Sequence, residues 1–100
     1  MKVRYSALAR ADVRDAKAFY RKDSQQAPKD FAAQLRHALQ RIREHPQSGS
    51  PYELGTRRFI MERFPYAVIY FLTVEGIYVA AVQHHSRKPD YWHDSVASIR

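Results

Sequence analysis

Two adjacent histidines, His84 and His85, are followed closely by Arg87, Lys88 and Tyr91. Histidine gives or takes a proton near neutrality, and a guanidinium holds phosphate through parallel N–H bonds. A phenol can stack on a base or share the proton work. Arg57, Arg58 and Arg63 supply further guanidinium groups earlier in the chain. Cleaving a phosphodiester beside a ribose 2′-OH without metal asks for these types: a base for the 2′-OH proton, an acid for the leaving oxygen, and cations for the phosphate. The same residues also suit structural work. A strand-end histidine is often hydrogen-bonded in place, Pro89, Tyr91 and Trp92 can anchor a tail, and Arg87 can pair with Asp90. The sequence contains no cluster of histidine and carboxylate at metal-ligand spacing, and no cofactor is expected.

The elements that must hold these groups follow from pattern. Lys2 to Tyr5 alternates as a short edge or partner strand, and Ser6 is suited to cap a helix running from Ala7 to about Lys22. Ala9, Val13, Ala16 and Tyr20 make its buried stripe, with Phe19 at the margin. Arg10, Arg14, Lys17 and Arg21 repeat that spacing one position on, as a basic ridge. Pro28 fits the first turn of a second helix reaching Glu44, whose stripe is Phe31, Leu35, Ala38, Leu39 and Ile42. The breakers Pro46, Gly49, Pro51 and Gly55 mark 45–55 as a loop. Strands are expected over 57–64, 66–73 and 77–84, followed by a tail at 91–100 that packs Trp92 back on the sheet. The middle strand is apolar on both faces, so helices should cover one side and something else the other. In a regular strand His84 and His85 point to opposite faces, and one bulge exchanges them.

The expected architecture is α+β: an antiparallel helical hairpin on one face of a small, mainly antiparallel sheet, in the order β-α-α-β-β-β, with the other face partly open. One hundred residues suit a single domain over 1–100. With 45% hydrophobic residues the chain should fold, and no cysteine means no disulfide or thiolate chemistry. No apolar run approaches the length of a membrane span, and the first ten residues do not read as a signal peptide, so a cytoplasmic protein with no membrane contact is expected. Seventeen Lys and Arg against ten Asp and Glu leave +7, which favours a polyanionic partner, either nucleic acid or an acidic protein.

The element order, the Phe64-Pro65-Tyr66 step into the central strand, Tyr70 within it, and the exit formed by His84, Arg87, Pro89, Tyr91 and Trp92 resemble the RelE/ParE superfamily of bacterial toxins, the plasmid stabilisation type. The resemblance spans nearly the whole chain. It implies the toxin half of a type II toxin-antitoxin pair, held inactive in a hetero-oligomer with a cognate acidic antitoxin. Some relatives cut messenger RNA in the ribosome; others poison DNA gyrase and are not enzymes. On the nuclease branch the implied catalytic set is His85, Arg87, Tyr91 and Arg63, with His85 matching the carboxyl-terminal histidine of those members. Ribonuclease members usually carry arginine after the equivalent of Tyr66, where this chain has Ala67, and tyrosine where it has Ser86. The ParE-like side is therefore preferred, the messenger RNA endonuclease is the alternative, and an inactive binding module of the same fold is a third reading. Arg57, Arg58, Arg63, Arg87 and Lys88 are the expected target or phosphate contacts. Arg10, Arg14 and Arg63 are the expected antitoxin contacts, on a surface where an acidic amphipathic segment crosses the hairpin and the open sheet face.

Overall fold

A computed structural model describes residues 1–99. Ser6 accepts the Ala9 N–H at 2.9 Å and so starts helix α1, Ala7–Arg21, directly after strand β1, Lys2–Tyr5. Helix α2, Ala27–Glu44, carries Pro28 in its first turn and buries Phe31, Leu35, Ala38 and Ile42. Strands β2 (Ser50–Pro51), β3 (Arg57–Ile60), β4 (Tyr66–Leu72) and β5 (Gly76–His84) complete a five-stranded sheet, ordered β1-β5-β4-β3-β2. All pairings are antiparallel except β1 with β5, which is parallel because the α1–α2 hairpin and the β2 to β4 ribbon intervene. Gly76 permits that pairing: its φ is 152°, and a Cβ there would lie 2.2 Å from the Lys2 carbonyl oxygen.

The expected 45–55 loop contains the two-residue β2 and a single 3-10 turn, Glu53–Gly55. Its first part is tied down from below. The buried Tyr70 hydroxyl donates to Pro46 O at 2.7 Å and accepts the Gly49 N–H at 3.0 Å, while Arg57 donates to Gly49 O at 2.7 Å. Strand β3 stops at Ile60, short of the expected Phe64, because residues 61–65 form the turn into β4, where Tyr66 N–H reaches back to Phe64 O at 2.7 Å and Pro65 has no N–H to give. That turn sets Phe64 and Tyr66 on the hairpin side, where their rings lie 5.3 and 5.0 Å from Phe31. The Phe-Pro-Tyr step is thus a packing device.

Strand β5 is bulged. Ile69 faces Ala81 and Tyr70 faces Val79, so Ala80 is the extra residue, and its carbonyl accepts the Ser6 hydroxyl at 2.8 Å. Ala80 and Ala81 consequently both pack on the face away from the hairpin, and the alternation beyond them is reversed. Val82 and His84 come to the hairpin side.

The sheet's second face is not open. Ala67, Ile69, Phe71, Ala80 and Ala81 are covered by Trp92 and Val96, with Tyr52 and Tyr91 beside them. Helix α3, His93–Ile99, belongs to this cover. The expectation that Trp92 packs back on the sheet is met, but the consequence is larger than expected: the chain's own carboxyl-terminal segment occupies the surface assigned to a partner. Part of the expected tail, Arg100, lies outside the described residues. Among the described residues no helix is long and apolar enough to cross a membrane.

Candidate functional site

Asp12 sits on α1 between Ala9 and Ala16, on the buried stripe, and only 8% of it is exposed. Its Oδ2 accepts the Val82 N–H at 3.0 Å and the Tyr91 hydroxyl at 2.7 Å. One carboxylate therefore fastens α1, the end of β5 and the carboxyl-terminal cover together. Around this junction lies a cavity of about 420 Å³, floored by Asp12, Ala16 and Val82 and walled by Phe19, Tyr66 and Tyr91, with His84, Ser86, Arg87 and Asp15 at its rim. The Arg87 guanidinium lies over the Tyr91 ring, 3.9 Å from its centroid. The His84 ring meets Tyr66 edge-on at 4.9 Å.

The proton positions follow from these contacts. Ser86 N–H donates to His84 Nδ1 at 2.9 Å, and the Ser86 hydroxyl lies 2.7 Å from the same nitrogen. Because a backbone N–H can only donate, the neutral His84 ring carries its proton on Nε2. Burial raises the Asp12 carboxyl above its ordinary value, opposed by the bonds from Tyr91 and Val82 and by the charge of Arg87. Burial and the bond to Asp12 raise the Tyr91 phenol, and burial pushes Tyr66 up to about 12. Both phenols are thus donors near neutrality and not bases. Tyr91 donates its O–H to Asp12, so it holds the cavity wall and offers Arg87 a face to stack on.

The structure brings Arg87 and Tyr91 into one cavity and adds His84 in place of His85. His85 is exposed and does not line the cavity; its backbone N–H donates to Pro65 O at 2.9 Å. The bulge at Ala80 makes this exchange. Arg63 is exposed on the β3 to β4 turn, apart from the cavity. Arg57 is bound to the carbonyls of Gln47 and Gly49, and Arg58 lies over the Tyr52 ring at 5.8 Å, so the pair divides between the two faces. Lys88 is exposed beyond the cavity rim. Arg87 stacks on Tyr91 and makes no pair with Asp90.

A second concavity, about 290 Å³, lies between the helices. Val13, Ala32 and Leu35 give it an apolar lining, Tyr5 closes one end, and Arg10, Lys17 and Arg36 surround it. Arg10 donates to Tyr5 O at 2.8 Å, and the charge of Arg43 reaches the Tyr5 phenol, which burial raises. Arg14 is exposed beside Asp15, 4.0 Å away, outside this groove. Among the described residues no group of His, Asp and Glu could hold a metal ion.

Asp12 escaped the sequence reading. The signal was present: a carboxylate three residues after Ala9 and four before Ala16, inside an apolar stripe, must find buried donors or stay protonated.

Comparison with known proteins agrees with this architecture. A chain of the chromosomal ParDE TA system from P. aeruginosa superposes with a TM-score of 0.62 at 18% identity, over 84% of this chain and 95% of that one, which shows the shared fold. No curated protein matches. The family model described as ParE toxin of type II toxin-antitoxin system, parDE, matches residues 3–89, from β1 through the Arg87 exit. The chain belongs to the ParE toxin family of type II toxin-antitoxin systems.

Proposed function

We propose that this toxin acts on DNA gyrase in the cytoplasm without cutting nucleic acid itself, and that a cognate acidic antitoxin holds it inactive in a hetero-oligomer. The observation that carries the gyrase reading is the dispersal of the cations that cleavage would require. Arg57 and Arg58 are engaged on opposite faces, Arg63 and Lys88 stand apart, and the floor beneath His84 is the carboxylate of Asp12, which repels phosphate. Docking on a large protein and DNA complex needs only basic and aromatic surface, which Arg58, Arg63, Arg87 and Lys88 supply.

For the antitoxin, the closed sheet face leaves the groove between α1 and α2 as the better seat. Its apolar lining under Arg10, Lys17 and Arg36 suits an acidic amphipathic segment that orders on binding. Arg14 extends the same basic ridge at its outer side. A second reading, ribosome-dependent messenger RNA cleavage, draws on the meeting of His84, Arg87 and Tyr91 in one cavity.

Expression of the toxin alone, with cells assayed both for gyrase-linked DNA breaks and for cut messages, separates the two. Growth arrest with DNA breaks and intact messages is expected. Cut messages abolished by His84→Ala would move the activity to the second reading, and no arrest at all would leave a binding module.

A further inference from the structure

The groove between the helices and the cavity at the end of β5 share no lining residue, yet both are built on α1. Arg10, Val13 and Lys17 line the groove, while Asp12, Asp15, Ala16 and Phe19 line the cavity. Any movement of α1 therefore alters both. The two walls of the groove are unequally fixed. Helix α2 is locked into the core by Phe31, Leu35 and Ile42. Helix α1 buries only Ala9, Asp12 and Ala16, side chains too short to interlock with the sheet. Its ends are held: Ser6 N–H donates to Val79 O at 2.9 Å, the Ser6 hydroxyl donates to Ala80 O at 2.8 Å, and the Tyr20 ring stacks on Phe31 at 5.9 Å. Between these ends the polar tie is Asp12, through Val82 N–H and the Tyr91 hydroxyl. When the groove is filled, the wall that yields is α1, by the small sliding that packed helices allow.

A shift of about 1 Å takes the 2.7 Å contact between Tyr91 and Asp12 past the range of a hydrogen bond. The cost is limited, because the adjoining cavity of about 420 Å³ lets water reach both groups. Tyr91 carries Arg87, whose guanidinium stacks on its ring at 3.9 Å. Arg87 lines the cavity and not the groove, and it belongs to the surface proposed to meet the target. Resting on the reading of the groove as the antitoxin's seat, we infer that a segment bound there shifts the middle of α1 across the sheet, releases Tyr91 from Asp12, and so displaces Arg87 without touching it. Neutralisation then needs no cover over the target-contacting surface. By linkage, a target that holds Arg87 in place weakens binding in the groove by the same factor.

The chain has no cysteine, so a single introduced thiol can be modified alone. Ala32→Cys places it on the α2 wall of the groove. The isotope-labelled full chain is treated with methyl or benzyl methanethiosulfonate, and amide exchange is followed by nuclear magnetic resonance. The Val82 N–H reports the junction directly, since Asp12 is its acceptor. Relative to the methyl adduct, the benzyl adduct should quicken Val82 exchange about tenfold, the scale of an ordinary coupling between two sites. The Tyr91 and Arg87 resonances should move as well, while β4 keeps its protection. The same benzyl group on Ala33→Cys, at an exposed position of α2, should leave Val82 unchanged. Arg36→Cys, on the exposed rim of the groove, gives a second attachment point should Ala32→Cys fail to fold. Unchanged Val82 exchange under a benzyl adduct that shifts Val13 and Leu35 overturns the inference. So does an adduct that leaves those two residues unperturbed, because the groove then admits no wedge, and so does an equal effect from Ala33→Cys. The adduct fills the groove by itself, so an antitoxin found to bind elsewhere would refute the groove as its seat and leave the coupling standing.

Discussion

The hairpin face of the sheet is closed by two continuous helices that set Ala16, Phe31, Leu35 and Ile42 against Tyr66, Val68 and Val79. The other face is closed by Trp92 and one seven-residue helix. The first closure rests on periodicity: every third or fourth residue of α1 and α2 is apolar, so burial is distributed along their length. The second rests on one large ring and a few polar clips, namely Tyr91 to Asp12, Gln83 to Pro89 O, and His93 to Glu53. Such a difference teaches where cooperativity should lie. A closure made of many small contacts unfolds with the whole protein, while one made of discrete clips can be loosened clip by clip.

The strongest way to break this comparison is to remove one large ring from each side. Phe31 is fully buried at the centre of the Tyr20, Phe64 and Tyr66 cluster, so Phe31→Ala should cost about 3–5 kcal/mol in chemical denaturation. Trp92 is equally buried and larger, but its indole N–H finds no acceptor among the described residues. The native state already carries that penalty, and the cover can relax toward solvent. Trp92→Ala should therefore cost less than Phe31→Ala, about 2–3 kcal/mol. If Trp92→Ala proves the costlier of the two, the cover is part of the central core and the contrast between the faces fails.

Smaller in effect, and sharper, is the junction where the two sides meet. Asp12→Ala strands the Val82 N–H and the Tyr91 hydroxyl and should cost about 1–3 kcal/mol. Asp12→Asn retains an acceptor and discards a desolvated charge, so at neutral pH it should be neutral or stabilising. The sign follows from the raised carboxyl. A folded-state pKa above the unfolded value means that the folded chain binds the proton more tightly, which favours folding below the ordinary carboxylate range and is lost as pH rises through the folded value. Any advantage of Asp12→Asn over the wild type should hence shrink on acidification. Melting temperatures of both proteins at neutral and mildly acid pH check this, and an advantage that grows toward acid would reverse the assignment of burial as the dominant influence.

These same residues mark how far the sequence could be read. The helices, the Ser6 cap, the Pro28 entry, the start of β3 and the long strands β4 and β5 follow from local pattern, since each depends on residues within a few positions of one another. The parallel pairing of β1 with β5 and the bulge at Ala80 do not. They depend on Ser6 reaching a carbonyl 74 positions away and on Gly76 admitting Lys2, contacts that no local period encodes. The bulge then decided the site: without it the alternation along β5 would put His85 at the cavity, and with it His84 is there. The open sheet face was misjudged for a related reason. Trp92 was legible as an anchor, but that Tyr52 and Val96 join it over Ala67, Ile69 and Ala81 depends on how the 3-10 turn and α3 meet in space.

The mildest perturbation tests the outermost clip. His93 Nε2 and Glu53 Oε1 lie 2.6 Å apart, tying α3 to the turn after β2, but both side chains are substantially exposed. Water competes for such a pair and salt screens it, so Glu53→Gln should lower global stability by no more than about 1 kcal/mol. Its consequence should appear locally. Amide exchange is expected to quicken in α3, where Ser95 and Val96 bond back to Trp92 O at 3.1 and 3.4 Å, and to stay unchanged in β4 and α2. Exchange that quickens equally in β4 would mean that cover and core open as one unit. Restriction of the change to α3 would mean that the second face is closed by a segment with a stability of its own, so that Tyr91 and Arg87, which precede it, can shift the cavity wall without unfolding the sheet beneath.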